Sequence, residues 1–280
     1  MSRRPLFLLL LGALSAAAAA IVWLAAFVVP GGRVLDAAAL RAFAGVARTP
    51  LKPSINGVAV LADPLPFVLA GALLVGVALL RRRPLMAATV PVVLVGANAC
   101  TQLLKPALAD LRIIDVGSMS RIYTGSWPSG HATASMSLAL CLILVVGPRL
   151  RPVAALVGAA YAIGVGYALV ALGWHLPSDV LGGYLVAASF TLLGAAALAA
   201  LETRRPVPAA PRAGPPATIP WTGAAASAAV LAALAALVLV RQHPEVATAA
   251  ARHAETLVVA SVIGALGLTL TAGLALALRR

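Results

Sequence analysis

The stretch Val153-AALVGAAYAIGVGYALVALGW-His175-LPSDVLGGYLVAASFTLLGAAALAA-Leu201 holds two apolar runs, Val153–Trp174 and Val180–Leu201, parted by one short polar group. A helix rises 1.5 Å per residue, so about 20 apolar residues cross the roughly 30 Å hydrocarbon core of a bilayer. Lipid offers no partner to an unpaired peptide group, so each run must be helical. The short polar link makes them antiparallel neighbours, with His175 and Asp179 at one membrane surface. Working outward, six further stretches read the same way: Leu6–Val29, Leu65–Leu80, Pro84–Leu104, Ser129–Val146, Trp221–Val240 and Thr256–Leu278.

Composition agrees. Of 280 residues, 62% are hydrophobic and 10% charged, and mean hydropathy is +1.01, which excludes both a disordered chain and a water-soluble globule of ordinary composition. Two cysteines, Cys100 and Cys141, lie in apolar runs and exclude a disulfide-built domain. The net charge of +13 would suit nucleic acid. Its arginines, however, cluster at the ends of apolar runs, where they orient helices in a membrane, so no nucleic-acid partner is expected.

The fold expected is all-α integral membrane: a six-span bundle over residues 1–201, a proline-rich cytoplasmic linker over 202–220 and a C-terminal two-span hairpin over 221–280. Six prolines between Glu202 and Pro220 rule out a helix there. The first apolar run is too long for a signal-peptide core and is expected to be retained. Twelve of the 21 basic residues, at Arg3-Arg4, Arg81–Arg83, Arg149, Arg151, Arg204-Arg205, Arg212 and Arg279-Arg280, then fall on one side. Lysine and arginine bias makes that side cytoplasmic, with both termini there, in a protein of the bacterial plasma membrane type. Between Pro30 and Pro64 the chain leaves the bilayer, and Arg33–Arg48 has the pattern of an amphipathic surface helix, with a plain connecting loop the alternative. Trp127, Trp174 and Trp221 stand at span ends, as interfacial anchors do.

Three polar groups gather on the opposite, extracytoplasmic side: Lys105-Pro-Ala-Leu-Ala-Asp-Leu-Arg112, Pro128-Ser129-Gly130-His131 and His175-Leu-Pro-Ser-Asp179. No span separates the first two, and two spans carry the chain away and back before the third. Both histidines lie near helix starts, where unpaired N–H groups and the positive end of the helix dipole favour an anion such as phosphate. Gly130 allows close backbone approach, and Lys105 and Arg112 add fixed positive charge. Two imidazoles and a carboxylate beside a phosphate are the parts for covalent phosphoryl transfer: one ring attacks, the carboxylate orients a ring, and the other protonates the leaving oxygen. Taken one at a time, each group also reads as a helix start, a snorkelling lysine or a headgroup contact.

Together these residues resemble the type-2 phosphatidic acid phosphatase superfamily of lipid phosphate phosphatases, which is similar to vanadium haloperoxidases. Its pattern is a lysine, six residues and arginine-proline; then proline-serine-glycine-histidine; then serine-arginine, five residues, histidine, three residues and aspartate. Lys105 and Arg112, Pro128–His131, and His175 with Asp179 fit that spacing. The resemblance implies a metal-independent membrane phosphatase, with no cofactor, acting on a lipid phosphate or diphosphate of phosphatidate or polyprenyl type. Carried over by position, His175 is the nucleophile that becomes phosphohistidine, Asp179 orients it and His131 is the general acid. Lys105, Arg112, Ser129 and the Gly130 N–H hold the phosphate. Its partners are then the phosphorylated lipid and the surrounding membrane lipids; oligomeric state is unspecified. Two positions depart from the pattern. Ile113 replaces the proline, and Ala168-Leu169 stands where serine-arginine is expected, with Arg121 a substitute cation. The loss of that arginine supports an alternative, a weakly active or inactive relative that binds phosphorylated lipid for recognition or transport. A plain transporter fits less well, because its polar groups would interrupt spans near the midplane.

Overall fold

The computed structural model describes residues 3–44, 50–108, 125–204, 241 and 254–279. Prolines punctuate it: Pro64, Pro84, Pro152 and Pro177 each sit in a first helical turn, where the missing N–H is no loss. The helices are α1 (Arg3–Phe27), α2 (Pro30–Ala44), α3 (Lys52–Ala59), α4 (Pro64–Leu80), α5 (Pro84–Ala107), α6 (Gly130–Val145), α7 (Arg151–Ala171), α8 (Pro177–Arg204) and α9 (Ala254–Ala277). No strand occurs among the described residues.

Five of these, α1, α5, α7, α8 and α9, are long and apolar enough to cross a bilayer. A sixth span arises if α3, the 3-10 turn Val60–Ala62 and α4 are taken as one helix bent by 52° at Asp63. The chain is an integral membrane protein, and the expected spans fall on these helices, with α6 shorter than a full crossing at 16 residues. The linker and the expected span Trp221–Val240 lie outside the described residues.

Helix α6 is the middle of the bundle. Its residues from Ala132 to Val145 are buried, save Leu142, against α4, α5, α7, α8 and α9. Buried hydroxyls there are turned back on their own helix: Ser135 Oγ donates to the Ala132 carbonyl at 3.1 Å and Ser137 Oγ to Ala134 at 3.0 Å. Around it, α1 lies along α8 and α9 against α7. Leucines and valines on the outer faces of α1, α4 and α9, among them Leu14, Leu73 and Val258, remain exposed as a lipid-facing surface does.

The bundle has two unlike ends. At one, Arg4, Arg83, Arg151 and Glu202 line a small cleft; Arg83 pairs with Glu202 at 2.9 Å, and Arg151 Nη1 donates to the Leu278 carbonyl at 2.9 Å. The other end carries Asp36, Asp63, Lys105, His131, His175 and Asp179. Of Arg33–Arg48, expected as either surface helix or loop, the part up to Ala44 lies in α2 and the rest lies outside the described residues; Asp36 is buried rather than solvated. It accepts from the Ser178 N–H at 3.0 Å and from the Ser178 hydroxyl, which docks α2 on the first turn of α8.

Candidate active site

Ser129 caps α6: its Oγ accepts from the Ala132 N–H at 3.3 Å while its own φ and ψ are extended, leaving Gly130 and His131 as the first helical residues. Their N–H groups have no partner within the helix. The Ser129 N–H donates to the Asp179 carbonyl at 2.9 Å, so the second and third polar groups of the sequence are joined by a direct backbone bond. Two glycines make the approach possible. A Cβ on Gly183 would stand 2.7 Å from the Ser129 carbonyl oxygen, and one on Gly182 would stand 2.6 Å from the Trp127 indole.

His175 lies in the turn between α7 and α8. Helix α7 stops at Ala171, three residues before the end expected for that run, and Gly173 takes a φ of 72° that a side chain would resist. The Trp174 and His175 N–H groups both return to the Leu169 carbonyl, at 3.0 and 3.4 Å. His175 Nδ1 then meets Asp179 Oδ2 at 3.4 Å, and the same oxygen accepts from the Leu176 N–H at 3.0 Å. Asp179 is fully buried and the His175 side chain 12% exposed. With Nδ1 turned to the carboxylate, Nε2 is the free nitrogen.

Lys105 arrives from α5. Thr101, one helical turn earlier, holds α5 to α6 through a 3.0 Å contact of its Oγ1 with Thr133 Oγ1, and Lys105 shares that face. A Cβ on Gly130 would lie 3.7 Å from Lys105 Nζ and 3.5 Å from Gln102 Nε2. The ammonium is also within electrostatic range of Asp179. Of the residues expected at the site, Lys105, Ser129, Gly130, His131, His175 and Asp179 therefore meet at one end of the bundle, while Arg112 lies outside the described residues, as does Arg121. Leu169, at the position of the family's arginine, is fully buried in the apolar core.

Three residues here were not assigned to the site by sequence reasoning. Asp63 Oδ1 lies 2.9 Å from His131 Nε2, Trp174 places its ring 5.9 Å from the His131 ring, and Gln102 reaches Gly130. The signal for Asp63 was an acid at the mouth of an apolar run on the histidines' side. Trp127 corrects an expectation: it is no interfacial anchor but buried against Phe27 and Gly182.

A membrane helix bundle that gathers a capped helix start, an ammonium and two histidine–aspartate pairs at one end has the chemical parts to hold a tetrahedral anion beside an imidazole. Residues 85–203, which run from α5 to α8 and hold all three polar groups, match the family model of the PAP2 superfamily. A solved structure described as the first transmembrane PAP2 type phosphatidylglycerolphosphate phosphatase from Bacillus subtilis is similar, at 23% identity and a TM-score of 0.48, over 73% of this chain and 99% of that one. No curated protein matches the sequence.

Proposed function

We propose that the protein hydrolyses a lipid phosphate or diphosphate at the extracytoplasmic face through a phosphohistidine. The observation that carries this is the 2.9 Å bond from Ser129 N–H to the Asp179 carbonyl, which sets the start of α6, with Lys105 beside it, against the His175–Asp179 pair. Asp179 holds the Nδ1–H of His175, so the Nε2 lone pair attacks phosphorus as the phosphorus–oxygen bond breaks. His131 gives its proton to the departing oxygen. Water then attacks the phosphohistidine, His131 takes a proton from it, and phosphate leaves. Lys105, the Ser129 hydroxyl, the Gly130 N–H and, from the preceding loop, Arg112 hold the equatorial oxygens, where charge builds. No step calls for a metal. Residues 1–201 form the unit that carries the chemistry, with 221–280 as an appended hairpin that packs on it.

Phosphate release in detergent and chelator tests the reading, with phosphatidate, phosphatidylglycerol phosphate and a polyprenyl diphosphate as substrates. Wild type is expected to release phosphate from at least one, and His175→Ala from none. Undiminished release by His175→Ala would remove it as nucleophile.

Leu169 favours a second reading, a weakly active or inactive lipid-phosphate binder. One missing oxyanion donor costs about 10²–10³ in rate. Binding of these lipids without turnover would support the second reading, and Leu169→Arg is its direct comparison. A large gain in rate marks the absent cation as limiting; no gain means another group fills its place or the pocket has diverged.

A further inference from the structure

We infer that Asp63 is the positioning residue of His131, and that the site therefore works with two oppositely wired histidine–aspartate pairs; this rests on the general-acid role proposed above. Asp63 is the N-cap of α4, and an aspartate there ordinarily accepts from the N–H groups of its own first turn. Its side chain makes no such bond. Instead Oδ1 reaches His131 Nε2 at 2.9 Å across 68 residues of sequence. Asp63 also lies outside residues 85–203, the stretch that matches the PAP2 superfamily.

The surroundings hold this pair in place. The 3-10 turn Val60–Ala62, which delivers Asp63, packs on α6, and the Tyr161 hydroxyl of α7 donates to the Leu61 carbonyl at 3.0 Å. On its other side the His131 ring meets Trp174, tilted at 55°. An ionised carboxylate only accepts, so Nε2 keeps its hydrogen and Nδ1 is the nitrogen that gives a proton to the leaving oxygen. His175 is the converse, with Nδ1 bound to Asp179 and Nε2 free. Exposure follows the same division. The nucleophile's side chain is 12% exposed and its aspartate closed off, whereas His131 and Asp63 are 30% and 42% exposed. A proton donor must be reloaded from water each cycle. The nucleophile is better kept dry.

A bond that merely seats α4 against α6 would affect every substrate alike. Support for a general acid depends on the leaving group: an alkoxide needs the proton and 4-nitrophenolate does not. The test measures kcat/KM, which reads the steps through departure of the first product, for dodecyl phosphate and 4-nitrophenyl phosphate. Wild type, Asp63→Asn, Asp63→Glu and His131→Ala are compared as full chains in detergent. Asp63→Ser, which keeps a good helix cap without the carboxylate, serves as an independent second removal. Asp63→Asn and Asp63→Ser should lose about tenfold or more on the alkyl ester, within the roughly 10²–10⁴-fold of a complete general acid, and keep their rate on the aryl ester. His131→Ala should show the same pattern more strongly, and Asp63→Glu should recover most of the loss. Equal losses on both esters, or none, in the Asp63 variants would overturn the assignment while leaving His131 in its role if His131→Ala still discriminates. Should His131→Ala fail to discriminate, the general-acid reading falls and this inference with it.

Discussion

Asp179 makes three bonds from one buried position: its carbonyl takes the Ser129 N–H, and Oδ2 takes both the Leu176 N–H and His175 Nδ1. Asp179→Asn leaves the backbone bond untouched but offers an N–H where an acceptor was. One of the two donors loses its partner, and the His175 proton moves to Nε2, which blocks attack. A fall in turnover of about 10³–10⁴-fold is expected, as for a triad histidine left in the wrong tautomer, with a stability loss of about 1–3 kcal/mol from the stranded donor. Turnover within tenfold of wild type would show that the tautomer is not set here. Most of this residue-scale picture was legible in the sequence, because spacing alone brought Lys105, Ser129–His131 and His175–Asp179 to one surface. Asp63 was not legible. An acid before Pro64 reads equally as a helix cap or as the solvated edge of a span, and only the fold reveals that its side chain leaves its own helix for His131.

Between α6 and α8 the separation is set by glycine. A methyl group on Gly183 would stand 2.7 Å from the Ser129 carbonyl oxygen, 2.9 Å from Ala132 Cβ and 3.0 Å from the Thr133 nitrogen, none of which can swing aside. Gly183→Ala should therefore cost about 1–3 kcal/mol and depress turnover by pulling Ser129 from Asp179. Gly76→Ala, with nothing within 4 Å, is the control and should leave both unchanged or gain slightly in stability. Equal behaviour of the two variants would show that the helices adjust. Two adjacent glycines in an apolar run mark close helix packing but not the partner they admit, which here is the cap of α6. Helix α2 is a second such element. Asp36→Ala strips the Ser178 N–H and hydroxyl of their acceptor in a buried place, at a cost of about 1–3 kcal/mol in stability. Unfolding midpoints in detergent measure it, and an unchanged midpoint would mean water replaces the carboxylate. The pattern of Arg33–Arg48 matches any surface helix, whereas the docking of Asp36 depends on Ser178, 142 residues away.

At the scale of the whole molecule the two ends differ in charge, and that difference predicts an orientation. Arg4, Arg81, Arg83 and Arg279 all lie close enough to act on Arg151, and Arg83 pairs with Glu202. Moving such a cluster through hydrocarbon is costly, so it is expected to stay on the side of synthesis, the cytoplasm. The candidate site, at the other end of the bundle, is then predicted to face outward, where a lipid headgroup would reach it from the outer leaflet. Cysteine labelling tests this with two exposed apolar residues. Leu61 lies in the turn that leads to Asp63, and Leu150 in the turn before α7 at the arginine end. In a background with Cys100 and Cys141 replaced by serine, a membrane-impermeant maleimide should modify Leu61→Cys in intact spheroplasts. Leu150→Cys should react only after permeabilisation. The reverse pattern would put the phosphate chemistry in the cytoplasm, and the arginine cluster would then need an explanation other than topology.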